Sequence, residues 1–266
     1  MSVLIVIPAR YASTRYPGKP LVALKGADGR SRSLIQRSWQ AAMQVGGADR
    51  VVVATDDARI RDHARAFGAE VVMTSETCRN GTERCAEAQA VLGWGYDIVV
   101  NLQGDAPLTP AWFVEDLIKG LKAHPEAEVV TPVLRADGRA LNGFLEDRRN
   151  GRVGGTTAVF GHDLKALYFS KEVIPFTSRP YADEEATPVF HHVGVYAYRP
   201  RALADYSGWD IGPLETLEGL EQLRFLERGR PVLCVEVEAR GRQFWELNNP
   251  SDVARIEAMM AEMGMA

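Results

Sequence analysis

The fold is decided by residues 8–20, which read Pro-Ala-Arg-Tyr-Ala-Ser-Thr-Arg-Tyr-Pro-Gly-Lys-Pro. This stretch, called the basic loop below, follows residues 3–7, an apolar and β-branched run that predicts a buried strand. Open α/β sheets bind ligands at the carboxyl ends of their strands, so the loop lies where a ligand is expected. Its cations Arg10, Arg15 and Lys19 suit a polyphosphate. A solvated basic loop without a ligand is the alternative.

The first half of the chain alternates short apolar runs with amphipathic segments. We predict strands at residues 3–7, 51–55, 70–73, 97–102 and 128–133, and helices at 33–45, 58–67, 82–92 and 110–123. This alternation predicts βαβ units, and therefore a parallel sheet with helices on its faces. The expected fold class is α/β, with a Rossmann-like, mostly parallel sheet and flanking helices.

The character of the chain changes after residue 134. Residues 137–155 are polar and are interpreted as a mobile or inserted loop, with disorder as the alternative. Further strands are predicted at 158–160, 167–169, 189–198 and 231–237, and helices at 212–228 and 250–263. We expect a single domain over residues 1–266, with a nucleotide-binding half over 1–134 and a second half over 135–266.

Composition excludes several classes of protein. The 266 residues are 46% hydrophobic and carry a net charge of −4, which allows a large core and argues against a nucleic-acid partner. Three cysteines without a Cys-x-x-Cys pair argue against a disulfide scaffold or structural zinc, and fit a reducing compartment. Since no stretch approaches ~20 apolar residues, no membrane insertion is expected. We expect a cytoplasmic protein.

Two further segments carry chemistry. Gln103-Gly104-Asp105 stands at the carboxyl end of a predicted strand, where Asp105 could bind Mg²⁺ together with phosphates. Capping of the next helix is the alternative use of that carboxylate. Gly81 directly precedes a predicted helix whose free N–H groups suit an anion, with Arg84 one turn in. An exposed helix surface is the alternative there.

Several separated segments resemble the 3-deoxy-manno-octulosonate cytidylyltransferases, the CMP-Kdo synthetases. They are the basic loop, Asn-Gly-Thr-Glu-Arg at 80–84, Asn-Leu-Gln-Gly-Asp-Ala-Pro-Leu at 101–108, Ala-Leu-Tyr-Phe-Ser-Lys at 166–171, His-Val-Gly-Val-Tyr-Ala-Tyr-Arg at 192–199, and residues 213–224. The resemblance implies transfer of CMP from CTP to the sugar acid Kdo, with release of pyrophosphate, in lipopolysaccharide biosynthesis. It also implies a homodimer and a smaller substrate-binding and dimerisation subregion.

The resemblance assigns roles by position. The catalytic residues would be Arg10, Lys19 and Asp105. The nucleotide would be bound by Pro8, Ala9, Arg10, Arg15, Lys19, Gly81 and Arg84. The sugar acid, a 3-deoxy-2-ulosonic acid, would be bound by Gln103, Tyr168, His192, Tyr196, Glu221 and Gln222. Mg²⁺ would be held by Asp105 and by Asn248, which stands where the family has its second metal-binding Asp.

Local spacing refines these assignments. Strand alternation places His192, and not His191, on the face of Gly194 and Tyr196. On the helix predicted over 212–228, Glu221 and Arg224 are spaced to form an ion pair.

The chain departs from the family at residues 25–32, at 146–160 and at Asn248. These departures leave two alternatives open. One is a CMP transferase for a different 2-keto-3-deoxy sugar acid, and the other is a non-catalytic descendant that only binds the nucleotide.

Overall fold

The computed structural model describes residues 1–13, 16–242 and 245–266, so Arg15 lies outside the described residues. The strands are β1 Val3–Ala9, β2 Ala23–Lys25, β3 Ser31–Ser33, β4 Arg50–Thr55, β5 Glu70–Met73, β6 Ile98–Leu102, β7 Val129–Asp137, β8 Thr156–Phe160, β9 Ala166–Ser170, β10 Ala186–His192, β11 Val195–Tyr198 and β12 Val232–Val237. The helices are α1 Leu34–Ala42, α2 Ala58–Ala66, α3 Gly81–Val91, α4 Ala111–Ala123, α5 Gly138–Arg149, α6 Pro200–Ser207, α7 Pro213–Glu218, α8 Leu223–Glu227 and α9 Asp252–Glu262. A 3₁₀ turn covers Lys19–Leu21.

Ten strands form one sheet, in the order β5-β4-β1-β6-β11-β7-β10-β8-β9, with β12 paired to β7. Strands β5, β4, β1 and β6 are parallel, as the βαβ alternation predicts. Strand β11 is antiparallel to both β6 and β7 and joins the parallel block to the rest of the sheet. The predicted α/β fold class, with a mostly parallel sheet and flanking helices, is confirmed.

Alternate residues of the buried strands face two different cores. On β1, Ile5 packs with α1, α2 and α4 on one face, while Leu4 packs with α3, α6 and α8 on the other. Helix starts follow side-chain caps: Ser33, Asp57 and Asn80 each accept a backbone N–H of α1, α2 or α3. Helices therefore cover both faces of the sheet. The ligand-binding end lies at the carboxyl ends of the strands, and we call this end of the sheet the open edge.

The division of the domain into two halves at residue 134 stays a prediction. Strand β7 runs across that boundary, from Val129 to Asp137, and β11 of the second half pairs with both β7 and β6. The two halves thus share one sheet.

The predicted loop over residues 137–155 is wrong for most of its length, because residues 138–149 form helix α5. Asp137 caps the helix by accepting the N–H of Ala140. Leu141 is buried against Val189, and Phe144 packs beside them. The segment is mostly polar, so its few apolar residues did not predict a helix. In the structure they form one narrow apolar stripe, which packs this amphipathic helix on the sheet.

Two other predicted elements are divided in the structure. The strand predicted over 189–198 is two strands, β10 and β11, separated at Val193 and Gly194. The helix predicted over 212–228 is two short helices, because Gly219 takes φ 62° in the left-handed region and ends α7. Helix α6 and the β2–β3 hairpin were not predicted. Among the described residues, no helix is long and apolar enough to cross a lipid bilayer.

Candidate active site

The basic loop and Asp105 meet at the carboxyl ends of β1 and β6. The Nζ of Lys19 lies 2.7 Å from the Oδ2 of Asp105, and their side chains are only 14% and 26% exposed. Gly18 takes φ 71° just before Lys19, and its N–H donates to the carbonyl of Tyr11. This left-handed turn, which suits glycine, folds the loop back so that Lys19 faces the end of β6.

A close backbone contact sets the separation of these two strand ends. A Cβ on Gly104 would lie 2.6 Å from the carbonyl oxygen of Pro8, so only glycine fits without a shift. The hydroxyl of Ser38, on α1, donates to the Gly104 carbonyl at 3.0 Å. Pro8 and Ala9 are buried in β1, while the next residue, Arg10, is exposed at the open edge. The structure thus brings Pro8, Ala9, Arg10, Lys19 and Asp105 to one edge.

Gln103 lies beside the amino terminus of α3. Its Nε2 donates to Glu221 Oε1 at 2.9 Å, and the N–H of Thr82 donates to Glu221 Oε2 at 3.0 Å. Burial raises the pKa of Glu221, and these two hydrogen bonds act in the opposite direction. A Cβ on Gly81 would lie 3.0 Å from Gln103 Nε2, so this glycine allows the close approach.

Arg84 is placed differently from the prediction. Its side chain is only 3% exposed, its Nη1 donates to Thr74 Oγ1 at 2.5 Å, and its Nη2 lies 3.5 Å from Asp56 Oδ2. The guanidinium therefore binds groups at the ends of β4 and β5 inside the protein. In this structure Arg84 stabilises the sheet edge and does not expose its charge to a ligand.

The predicted acceptor residues His192 and Tyr196 lie together, as strand alternation predicts. Their ring centroids are 5.6 Å apart, and His192 Nε2 lies 2.9 Å from the hydroxyl of Thr131. Burial lowers the pKa of His192 to about 3, so the imidazole is neutral. The phenol of Tyr196 donates to Gln222 Oε1 at 3.0 Å. His191 lies elsewhere, with its ring against Phe144.

Tyr168, the remaining predicted acceptor residue, contacts Glu218. The Tyr168 hydroxyl lies 3.4 Å from Glu218 Oε1, and the Ser170 hydroxyl donates to the same oxygen at 2.7 Å. The N–H of Lys171 donates to Glu218 Oε2 at 2.9 Å. Glu218 thus fixes α7 to the end of β9.

The expected Glu221–Arg224 ion pair is wrong. The Arg224 side chain is 0% exposed, and its Nε lies 2.6 Å from Glu215 Oε2. Its Nη1 lies 2.9 Å from Glu83 Oε1 on α3. The N–H of Arg224 does donate to the carbonyl of Glu221 in a helical turn, but the two side chains take other partners, and Arg224 binds two buried carboxylates instead.

Asn248 lies on the segment that follows β12 and precedes α9. The N–H of its neighbour Leu247 donates to the backbone carbonyl of Asp105 at 2.9 Å, so the segment is joined to the end of β6. The N–H of Asn248 donates to Asp252 Oδ2 at 2.9 Å, the side chain that also binds the N–H of Asn249. Glu246, which the sequence analysis did not single out, lies against Gly194.

Among residues 1–13, 16–242 and 245–266, no three His, Cys, Asp or Glu side chains converge closely enough to hold a metal ion by themselves.

Comparisons with known proteins show the family of the chain. The family model described as cytidylyltransferase matches residues 4–236. The 3-deoxy-manno-octulosonate cytidylyltransferase of Maricaulis maris is 45% identical over 99% of both chains. The 8-amino-3,8-dideoxy-manno-octulosonate cytidylyltransferase of Shewanella amazonensis is 38% identical over 97% of this chain and 98% of its own.

The chain belongs to the 3-deoxy-manno-octulosonate cytidylyltransferase family. A solved structure of CMP:2-keto-3-deoxy-manno-octonic acid synthetase, in complex with CTP, superposes with a TM-score of 0.82 and 32% identity, covering 99% of this chain and 100% of its own. The resemblance inferred from the separated segments is therefore confirmed. As a member of this cytidylyltransferase family, the chain is a nucleotidyltransferase, and the non-catalytic alternative loses its support.

Proposed function

We propose that the protein transfers CMP from CTP to the anomeric hydroxyl of 3-deoxy-manno-octulosonate. The acceptor oxygen forms a bond to the α-phosphorus of CTP while the bond from that phosphorus to the β-phosphate oxygen breaks. Pyrophosphate leaves, and the hydroxyl proton is released. The observation that carries the proposal is the meeting of Lys19 and Asp105 at the open edge of the sheet.

Lys19 and Arg10 are the proposed phosphate-binding residues. Phosphoryl transfer places developing negative charge on the leaving oxygens, and fixed cations stabilise that charge. Lys19 is largely desolvated, which strengthens its electrostatic interactions, whereas Arg10 is exposed at the mouth of the edge. Pro8, Ala9 and Gly81 shape the wall on which the nucleotide would lie. Arg15 belongs to the same proposal from its sequence position alone.

Mg²⁺ is the proposed metal, and the residues present fit it. Asp105 offers a partly exposed carboxylate that already lies against a cation, the Lys19 ammonium, at 2.7 Å. Hard oxygen donors of this kind are the ligands that Mg²⁺ prefers. Asp105 would hold the ion, and Asn248 would contribute a neutral oxygen at most. When bound, Mg²⁺ would neutralise charge on the phosphates of CTP.

The sugar acid would be held by the acceptor pocket, which we define as Gln103, His192, Tyr196, Glu221 and Gln222. Its members are connected to one another or to the sheet by hydrogen bonds of 2.9 to 3.0 Å. The pocket supplies neutral donors and acceptors and one carboxylate, which suits sugar hydroxyls. Tyr168 would contribute to sugar-acid binding next to this pocket, where its hydroxyl contacts Glu218.

A homodimer is part of the proposal. Leu167 and Leu217 are 69% and 82% exposed, and the contact between Tyr168 and Glu218 brings their segments together. Phe176 is 88% exposed in the same half of the chain. Exposed apolar side chains of this size are typical of interaction surfaces. Light scattering of the purified protein should give the mass of a dimer, and a monomer at micromolar concentration would contradict this part of the proposal.

We also propose a cytoplasmic location. Cys78, Cys85 and Cys234 are all free and buried, which fits a reducing compartment. Cell fractionation should find the protein with cytoplasmic markers.

Pyrophosphate release tests the reaction directly. CTP with 3-deoxy-manno-octulosonate should give the highest kcat/KM, and ATP and GTP should be poor substrates, because the chain belongs to a cytidylyltransferase family. The 8-amino sugar acid named in the Shewanella relative, and other 2-keto-3-deoxy acids, should be used less well. Preference for another acid would replace the acceptor, whereas equal use of all nucleotides would contradict the cytidylyl assignment.

A further inference from the structure

We propose that a cavity between α1 and α4, separate from the basic-loop edge, is a second binding site, for a small organic anion with a planar apolar body. The cavity has a volume of about 630 Å³ and is bordered by α1, the amino terminus of α4, Arg242 and the segment that follows α9. Among the described residues, neither Lys19 nor Asp105 lines it. The proposal therefore concerns a different place in the fold from CMP transfer and does not rest on that reaction.

The amino terminus of α4 forms part of the cavity wall. Pro110, Ala111 and Trp112 line the cavity, and no side chain caps this helix of 13 residues. The first N–H groups of a helix have no carbonyl partner inside the helix and carry a partial positive charge. An anionic group is the ligand that such a helix end binds well.

A buried hydroxyl beside this helix end also lacks a partner. Thr109 directly precedes Pro110, lines the cavity and is 4% exposed. Its Oγ1 has no hydrogen-bond partner within the part of the chain that the structure describes. A buried polar atom without a partner is costly, and folded proteins satisfy nearly all such atoms. A ligand oxygen at the start of α4 would satisfy the Thr109 hydroxyl together with the helix N–H groups.

The charge of the wall is positive. Arg32, Arg37 and Arg242 line the cavity, whereas no Asp or Glu does so among the described residues. Arg37 donates to backbone oxygens and so has its hydrogen bonds within the protein. Arg32 donates through Nη2 to Asp28 Oδ2 at 2.9 Å, but its buried Nη1 has no partner in residues 1–13, 16–242 and 245–266. Arg32 and Arg242 are therefore the cations that would face an anionic ligand.

The remaining wall is apolar and partly aromatic. Trp39 on α1, Trp112 on α4 and Met260 on α9 line the cavity. The Cζ of Arg242 lies 5.3 Å from the ring centroid of Trp112, so a cation and an aromatic face occur side by side. Flat rings pack well against indole and thioether side chains. A ligand with its anionic group at α4 would place a planar body here, and an aryl phosphate has that composition.

Phenyl phosphate is the probe, because it joins one phosphate to one planar ring. Its binding is followed through the indole N–H signals in nitrogen-15 nuclear magnetic resonance spectra of the full chain. The signals of Trp39 and Trp112 should shift with a single saturation curve, whereas Trp94 and Trp209, which do not line the cavity, should not shift. Absence of a shift at Trp39 and Trp112 with millimolar phenyl phosphate would contradict the proposal.

Two arginines provide a matched pair of variants. Arg240 and Arg242 both lie over the ring of Trp112, at 5.0 and 5.3 Å, but only Arg242 lines the cavity. Arg242→Gln should weaken phenyl phosphate binding about tenfold, as loss of a charge-assisted hydrogen bond does. Arg240→Gln should bind the probe as the wild type does. Equal weakening by the two variants would mean that only general surface charge attracts the probe, and the proposal would be wrong.

Thr109→Val separates ligand binding from folding. The substitution keeps the shape of the side chain and removes the hydroxyl, so probe affinity should fall several-fold. Thermal unfolding without the probe should occur at the wild-type temperature or higher, because no hydrogen bond inside the protein is lost. A lower unfolding temperature would show that the hydroxyl has a partner in the protein and would remove this support for a ligand.

A last variant shows where the probe binds. Lys19→Ala changes the basic-loop edge and should leave the affinity for phenyl phosphate unchanged. If Lys19→Ala abolishes binding and Arg242→Gln does not, the probe occupies the basic-loop edge and the second site does not exist. That result would leave the proposed transfer of CMP unaffected, since phosphate binding at Lys19 is part of it.

Discussion

The basic-loop edge and the acceptor pocket lie on one sheet but are built in different ways. The edge consists of charged groups at strand ends, and its central contact is the ion pair between Lys19 and Asp105. The pocket consists of buried, mostly neutral groups that are hydrogen-bonded across distant segments, as Tyr196 is to Gln222. Charge at the edge can act on phosphates, whereas the pocket can only position a ligand of matching shape.

This difference predicts different consequences of mutation. The side chains of the edge contribute little to packing, so their loss should reduce catalysis and leave folding almost unchanged. The polar groups around the pocket are enclosed, so their loss leaves buried partners unsatisfied and should reduce stability as well. Three variants test this contrast.

The largest effect is expected at Arg224, which follows the pocket residue Gln222 by two positions and joins α7 to α3. It is fully buried between Glu215 and Glu83, so Arg224→Met leaves two carboxylates without their cation. Removing one partner of a buried ion pair typically costs about 3–5 kcal/mol. Urea unfolding should show a loss of that size in the free energy of unfolding. Arg228→Met, at an exposed position after α8, is the control, and an equal loss there would contradict the explanation.

The next effect concerns the edge. Lys19→Ala removes a fixed cation that is most effective as charge builds on the leaving pyrophosphate, so kcat should fall about 100-fold or more, which is about 3 kcal/mol. The free energy of unfolding should change little. Lys25→Ala, an exposed lysine on β2, should keep the wild-type rate. A Lys19→Ala enzyme with near-normal kcat would remove Lys19 from the proposed reaction.

The smallest expected effect is a dependence of the free energy of unfolding on pH, which arises in the acceptor pocket at His192. The pKa of His192 lies at about 3 in the folded protein, below its usual 6.5, so as pH falls below 6.5 only the unfolded chain takes the proton. The free energy of unfolding should therefore decrease by about 1.4 kcal/mol per pH unit, or about 2 kcal/mol by pH 5. His192→Asn should lose this part of the pH dependence.

Unfolding of wild type and variant at pH 7 and pH 5 measures the difference directly. His191 stays in both proteins and cancels in the comparison. His162→Asn, at an exposed histidine, should behave as the wild type. Equal pH dependence of His192→Asn and the wild type would mean that His192 is accessible to protons in the folded state.

The same contrast explains what could be predicted from the sequence. The edge follows from local signals, because the basic loop and the segment of Asp105 each follow an apolar strand, and parallel strands end at the same edge. Their contact in the structure agrees with that reasoning. The roles of the individual residues came from the resemblance to the family and stay predictions.

The pocket depends on contacts that spacing alone does not determine. Glu221 and Arg224 are three residues apart, yet each binds a partner more than a hundred residues away: Gln103 and Glu83 respectively. Gly219 interrupts the helix that the apolar pattern predicts, and long-range pairing then determines which way each side chain points. Helix α5 was missed for a related reason, since only its packing on Val189 stabilises so polar a segment.

The contact between Gly104 and the Pro8 carbonyl has a consequence for engineering. Any side chain at position 104 would have to displace a backbone atom 2.6 Å away, and that displacement would separate the basic loop from Asp105. A library that aims at new sugar acids should therefore keep position 104 as glycine in every member. Diversity is better placed at Tyr168, a partly exposed side chain among the proposed acceptor residues.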